Sequence, residues 1–133
     1  MPWLVLRVRE HHGGPVYDGR AARAAADFCD EIEEDGADWA ENQVRANLRK
    51  SMKFPTGYYE SHIRTSNVGG SSVVNDGGSI AYGPWLEGVG SRNDSTRFKG
   101  YFSFRKAASA LDRRIEEMGD QLLRNRYIRR MGG

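Results

Sequence analysis

The residues best suited to acid–base chemistry form a dense acidic run in the first third of the chain. Six carboxylates lie within nine positions, at Asp27, Asp30, Glu31, Glu33, Glu34 and Asp35. Paired carboxylates catalyse hydrolysis when two of them converge on a cleft and have shifted pKa values. This run instead follows the polar side of a predicted amphipathic helix, so we expect a solvated face. A metal-dependent hydrolase stays open only because the acids are many.

Two histidine-containing pairs and a set of glycines are the other candidates for chemistry. His11 and His12 are adjacent in a Gly/Pro-rich loop, and no third ligand lies at a recognisable spacing. Ser61 and His62 lie on a predicted strand, on which neighbouring side chains face opposite sides. The glycines between positions 69 and 90 lack the lysine and hydroxyl of a phosphate loop. We therefore predict no catalytic residue, no metal site and no cofactor.

Length and composition predict one soluble domain without a membrane span. A chain of 133 residues is long enough for a single modest core. The longest apolar run, Trp3–Leu6, is too short for a membrane helix or a signal-peptide core. The single cysteine, Cys29, excludes an intramolecular disulfide and a cysteine-rich zinc site.

The formal net charge of +2 hides a segregation of charge along the chain. Positions 18–41 carry nine acids against two bases, whereas positions 92–133 carry eleven bases against five acids. Such an asymmetry suits contact with nucleic acid, and it also suits a protein whose acidic face meets the basic face of a neighbouring copy. The charge pattern alone leaves both interpretations open.

Hydrophobic periodicity predicts an α+β fold in which a long N-terminal amphipathic helix and a C-terminal helix pack on a small antiparallel sheet. The predicted domain spans residues 1–133. Its five segments are an N-terminal strand and loop (1–17), a long helix (18–54), antiparallel strands (58–90), a loop (91–103) and a C-terminal helix (104–131).

Caps and propensities set the finer expectations for the first half of the chain. Asp18 is predicted to cap the long helix, which is either continuous or broken near Gly36. The stretch from Tyr58 to Thr65 is rich in aromatic and β-branched residues and is predicted to be a strand.

Turn residues set the expectations for the middle of the chain. The sequence Asp76-Gly77-Gly78 predicts a hairpin turn, which would pair the stretch around Val73 with residues 79–82. Because proline cannot donate to a ladder, the chain should leave the sheet, or follow its edge, at Pro84. Residues 91–96 are polar and are expected to be mobile in the free subunit.

Several motifs together resemble the small neck and tail-completion proteins of long-tailed bacteriophages, most closely the versions carried by phages and prophages of actinobacteria. The resemblance extends over about Asp18 to Ile115. Its motifs are Pro55–Ile63, Val74–Asp76, Ile80–Gly88, Phe98–Tyr101 and Phe104–Ala107. The chain departs from the family at Gly88-Val89-Gly90, where many members place an aromatic residue followed by Gly-Thr.

The resemblance implies a non-catalytic virion protein that forms a homo-oligomeric ring at the neck or tail end. Its implied partners are further copies of itself, the head adaptor on the portal side and the tail-tube protein. DNA would pass through the ring without sequence-specific binding, no membrane would be involved, and assembly would take place in the host cytoplasm. Tyr82 and Trp85 would anchor the subunit interface and Glu87 would be a charged partner. The full predicted interface set is Tyr82, Trp85, Leu86, Glu87, Arg92, Arg97, Phe98 and Lys99.

The alternative function is a small nucleic-acid-binding accessory protein. Residues 92–106 interleave five basic residues with four aromatic ones. Phosphate contact and base stacking use this combination of side chains. The alternative interpretation of the same residues is that the aromatics fill the core or a protein interface.

Overall fold

The computed structural model describes residues 2–9, 19–52, 57–78 and 80–131, and it confirms the predicted α+β fold class. Two long helices pack on a three-stranded antiparallel sheet. The elements are β1 (Trp3–Leu6), α1 (Gly19–Ser51), α2 (Tyr58–Ser61), β2 (Arg64–Val68), β3 (Ser71–Asn75), α3 (Gly83–Glu87) and α4 (Ser103–Leu122). A 3₁₀ turn spans Ser91–Asp94, and a π-helical turn, Leu123–Tyr127, continues α4.

The sheet has the strand order β1-β3-β2, and both pairings are antiparallel. Gly69 and Gly70 join β2 to β3 with positive φ angles of 58° and 78°, the backbone that a two-residue hairpin turn requires. Side chains alternate across the sheet, so Leu4 and Val74 are buried under the helices while Trp3 lies on the opposite face and is 55% exposed.

Helix α1 runs unbroken through Gly36, which is a packing position. A Cβ at Gly36 would come within 2.7 Å of the Leu6 side chain and 3.0 Å of Ile115, so glycine at this position leaves room for the ends of these two side chains to pack against α1. The buried stripe of α1 consists of Ala24, Ile32, Gly36, Ala37, Ala40, Val44 and Leu48. The predicted cap Asp18 and the loop before it lie outside the described residues.

Helix α4 packs along α1 and is the second half of the helical layer. Phe104, Ala107 and Leu111 are buried, whereas Ile115 and Leu122 of the same stripe are half-buried. The predicted helix over 104–131 is therefore α-helical only to Leu122, after which the π turn and a final turn complete it.

The predicted strand over Tyr58–Thr65 is wrong at residues 58–63 and right only at Arg64 and Thr65. Gly57, with φ 82°, precedes the helical turn α2, and the strand begins only at Arg64. The reason is the spacing of the buried side chains: Tyr59 and Ile63 both face the core, and a spacing of four fits a helical turn. Aromatic propensity alone concealed this periodicity.

The predicted hairpin at Asp76-Gly77-Gly78 is also wrong. The second neighbour of β3 is β1, and residues 80–82 form a turn; Ser79 lies outside the described residues. Asp76 is 1% exposed and accepts a hydrogen bond from the Gly78 N–H at 2.9 Å, so this turn is folded inward and cannot be a hairpin tip.

Two further boundaries differ from the prediction. The segment 58–90 contains the helices α2 and α3 besides strands, and the loop 91–103 contains the 3₁₀ turn and the first residue of α4. As predicted, Pro84 lies outside the sheet. It occupies the first turn of α3, where a backbone N–H would have no hydrogen-bond partner within the helix, so the lack of an N–H costs nothing.

Candidate functional site

The candidate site is the segment 82–107, and a buried pair of polar side chains holds its start. The Tyr59 hydroxyl donates to Asp76 Oδ2 at 2.9 Å, and both residues are buried. Burial and the neighbouring Asp76 carboxylate raise the pKa of Tyr59 well above its ordinary value, so the phenol stays a neutral donor. Gly83 packs directly on Asp76 with no room for a side chain. This contact positions α3.

Glu87 is the polar centre of the segment. Its side chain is 7% exposed; Oε1 accepts the Phe104 N–H at 2.9 Å and Oε2 accepts the Arg105 N–H at 3.0 Å. Burial raises the pKa of Glu87, and these two hydrogen bonds partly oppose the rise. The carboxylate thus caps the first turn of α4, where backbone N–H groups lack partners and the helix dipole is positive.

Two glycines let the chain cross itself beside this cap. Gly88 and Gly100 have φ angles of 96° and 117°. A Cβ on Gly88 would overlap the Lys99 carbonyl oxygen, and a Cβ on Gly100 would overlap the Gly88 backbone. The Tyr101 N–H donates to the Leu86 carbonyl at 2.6 Å across the same crossing. Glycine at both positions therefore permits the backbone contact and the left-handed conformation together.

The residues between these glycines are ordered by one buried amide. Asn93, 5% exposed, accepts the Gly90 N–H at 2.9 Å and donates to the Trp85 carbonyl at 3.0 Å. Lys99 Nζ donates to the Asn93 carbonyl at 2.8 Å. The expected mobile loop is thus a hydrogen-bonded 3₁₀ turn. Sequence reasoning missed Asn93, although its spacing of three from Gly90 is that of a capping residue.

Three aromatic rings pack against one another above this turn. The centroids of Trp85 and Phe98 are 4.5 Å apart, and those of Phe98 and Tyr101 are 4.7 Å apart. The Arg92 guanidinium lies 5.7 Å from the Trp85 ring centre. Because all three rings are half-buried in mutual contact, they support the segment as well as contributing to its surface.

The structure divides the predicted interface residues into three groups. Tyr82, Arg92, Arg97 and Lys99 are exposed; Trp85 and Phe98 are half-buried; Leu86 and Glu87 are buried. Glu87 therefore has its partners within its own chain. The exposed members lie on a scaffold that sequence reasoning did not foresee, namely the Tyr59–Asp76 pair, the glycine crossing and Asn93.

The Ser61–His62 pair is committed to a backbone carbonyl. Ser61 Oγ donates to the Tyr58 carbonyl at 2.7 Å, and His62 Nδ1 lies 2.7 Å from the same oxygen. A histidine that donates to this carbonyl through Nδ1 cannot also accept the serine proton there. Ser61 ends the helical turn α2 and His62 follows it as the C-cap, where a strand was predicted.

Part of the acidic run is neutralised by groups of the same chain. Arg126 pairs with Glu31, Arg130 pairs with Asp27, and Glu33 accepts the Ser72 N–H at 2.9 Å. Within the described ranges, no group of three or more His, Cys, Asp and Glu side chains is arranged to hold a metal ion. His11 and His12 lie outside those ranges.

Comparisons with known proteins add no relative. No protein-family model, no curated protein and no solved structure matched the chain. Among the described helices, none combines the length and the apolar character that a membrane crossing requires.

Proposed function

We propose that the chain is a structural subunit of a tailed-phage virion, a head–tail connector or tail-completion protein that assembles into a ring through which DNA passes. Its place would be the neck or the tail end, and it would assemble in the host cytoplasm. The subunit would be non-catalytic. Its partners would be further copies of itself, the head adaptor on the portal side and the tail-tube protein.

One observation carries the proposal: the separate motifs that resemble the phage family contact one another in space. Glu87 from one motif caps the helix that begins with Phe104 of another, and Gly88 touches Gly100 of a third. Tyr59 and Asp76, from two further motifs, share a buried hydrogen bond. Residues from separate motifs thus build one connected unit.

The properties of the segment 82–107 support a role in assembly. Its backbone is held by internal hydrogen bonds, so docking on a neighbour would order few additional groups, which favours association. Its surface presents Tyr82, Arg92, Arg97 and Lys99, three cations and an aromatic ring. Tyrosine and arginine are enriched at the centres of protein interfaces.

The nucleic-acid alternative is less well supported by the same segment. Base stacking needs an accessible ring face, but Trp85, Phe98 and Tyr101 direct their rings at each other. Lys99 also directs its ammonium group at the Asn93 carbonyl. Arg92 and Arg97 remain exposed and would suffice for sequence-independent contact with DNA inside a ring.

The decisive experiment measures particle mass by light scattering and shape by negative-stain microscopy, at low and high salt, with and without duplex DNA. We expect closed rings several times the 15.0 kDa chain mass that do not depend on DNA. A monomer or dimer that binds DNA with an affinity falling steeply with salt would favour the alternative function.

A matched pair of variants then tests the surface itself. Tyr82→Ala combined with Arg97→Glu should weaken ring formation while the melting temperature stays near that of the parent, because both side chains are exposed. Arg113→Glu, an exposed charge reversal on α4, is the control. Rings of equal stability in both variants would exclude this surface from assembly.

A further inference from the structure

Both outer edges of the sheet lack a strand partner among the described residues. The strand order β1-β3-β2 leaves one side of β1 and one side of β2 open. The two edge strands have similar lengths, four and five residues. Because each is antiparallel to β3, they run in the same direction. Open strand edges carry unpaired N–H and C=O groups and readily pair with another chain.

The pairing within the sheet identifies the backbone groups that face outward. The two-residue hairpin turn makes Val68 and Ser71 a hydrogen-bonded pair. Hydrogen-bonded and non-hydrogen-bonded pairs alternate along an antiparallel ladder. Thr65 and Asn67 are therefore in non-hydrogen-bonded pairs and direct their N–H and C=O groups away from β3. On the other side, Trp3 and Val5 direct theirs outward by the same alternation. Each edge thus offers two residues for pairing.

The flanks of the two edges carry opposite charge. On the β2 side, Asp30, Glu34 and Asp38 line a cavity of about 390 Å³ together with Thr65 and Asn67. These three acids are exposed and make no ion pair with a described residue.

On the β1 side the flank is basic. Exposed Arg7 and Arg9 follow the strand directly, and Arg105 lines a cavity of about 460 Å³ with Trp3. Pairing two β2 edges would bring acids together, and pairing two β1 edges would bring arginines together. Pairing β1 with β2 places the acids beside arginines.

Exposed apolar side chains adjoin the same edges. Trp3 is 55% exposed, Val5 54% and Val68 61%, and all three lie on the sheet face opposite the buried Leu4 and Val74. Side by side on adjacent strands, they would cover one another as cross-strand pairs. The edges therefore offer hydrogen bonds, complementary charge and apolar contact to the same neighbour.

We infer that the β1 edge of one copy pairs in parallel with the β2 edge of the next copy, so that the sheet continues across the subunit interface. This inference rests on the proposed ring assembly and gives its contact. A contact between unlike edges is head-to-tail, and its repetition closes a ring that uses every open edge when the rotation between copies permits closure.

Proline substitutions test the pairing through the backbone. Val5→Pro and Asn67→Pro each remove one outward N–H but no ladder bond within the chain, and proline is tolerated on edge strands. We expect folded monomers that need at least tenfold higher concentration to assemble, in contrast to the controls Val5→Thr and Asn67→Thr. Rings that form equally well with both prolines would overturn the inference.

A cysteine pair provides a readout that holds even if a proline variant unfolds. The double variants combine Val5→Cys with either Ser66→Cys or Val68→Cys in a Cys29→Ser background. On oxidation, they should form disulfide-linked oligomers of increasing size, up to the full ring. Each single variant should give none. A covalent dimer of the Val5→Cys single variant would show symmetric pairing and overturn the inference.

The two proposals fail in different ways. Parent rings that resist the prolines and do not cross-link through the cysteine pairs would leave the proposed function standing and refute the edge pairing. A parent chain that stays monomeric at every concentration would refute the ring and the edge pairing together.

Discussion

Glu87 is the residue whose role the structure changes most. Its carboxylate accepts two backbone N–H groups at the start of α4, so it is an internal helix cap. A lysine there would place a cation against two donors and the positive end of the helix. Glu87→Lys would therefore test folding, whereas exposed Tyr82 and Arg97 are the residues that test assembly.

Replacement of Glu87 by glutamine should destabilise the chain. Glutamine keeps the shape, but its NH₂ group faces one of the two N–H donors and leaves it unsatisfied, at a cost of about 1–3 kcal/mol. Urea denaturation at neutral pH measures the change in the free energy of unfolding. Equal stability of parent and variant would contradict the capping role.

The same pair of proteins should differ in pH dependence. Burial raises the pKa of Glu87 above its ordinary value of 4.5, so the folded chain holds this proton more tightly than the unfolded chain does. Such a group stabilises fully below the unfolded pKa, and its contribution is lost as pH rises through the folded pKa. From pH 4.5 upward, the parent should lose stability relative to Glu87→Gln. Parallel curves would contradict the raised pKa.

At the scale of elements, the glycine crossing decides how α3 and α4 are joined. Gly100→Ala would combine a φ of 117° with overlap on the Gly88 backbone, and we expect a loss of about 3 kcal/mol. Gly57→Ala is the matched control, because its φ is 82° but no described atom lies within 4 Å of the added methyl group.

The control should lose only roughly 1 kcal/mol, the strain of the left-handed backbone alone. Thermal and urea denaturation of both variants give the comparison. Similar losses in Gly100→Ala and Gly57→Ala would show that the crossing relaxes without strain, and the segment 82–107 would then be less rigid than its contacts indicate.

At the scale of the whole molecule, two ion pairs connect the ends of the helical layer. Arg126 pairs with Glu31 and Arg130 pairs with Asp27, beside the edge-to-face contact of Phe28 with Tyr127 at 5.5 Å. The acidic and basic parts of the chain thus meet partly within one subunit. Asp30, Glu34 and Asp38 beside the β2 edge make no ion pair with a described residue.

Removal of both arginines should loosen the last turns in a salt-dependent way. Arg126→Ala combined with Arg130→Ala should lower the melting temperature by a few degrees at low salt and by less at high salt, because exposed ion pairs are weak and screened. Arg129→Ala, an exposed arginine without an ion pair to a described residue, is the control. A salt-independent loss would indicate packing instead of charge.

The sequence by itself determined the α+β class, the long N-terminal helix, the C-terminal helix and the strand around Val73. These features depend on local periodicity and on side-chain burial, which repeat over many residues. The family resemblance likewise came from the residues alone. The spacing of four between Tyr59 and Ile63 was also present in the sequence, but strand propensity outweighed it in the prediction.

Only the tertiary structure decided which residues of the segment 82–107 are buried and which are exposed. Glu87 caps a helix that begins 16 positions later in the chain, and Gly88 meets Gly100 across a crossing. Similarly, β3 pairs with the distant N-terminal strand and not with the residues after Asp76. Local propensity contains no information on which distant residues will contact each other. These contacts form only when distant parts of the chain compete for the same backbone groups and the same core volume.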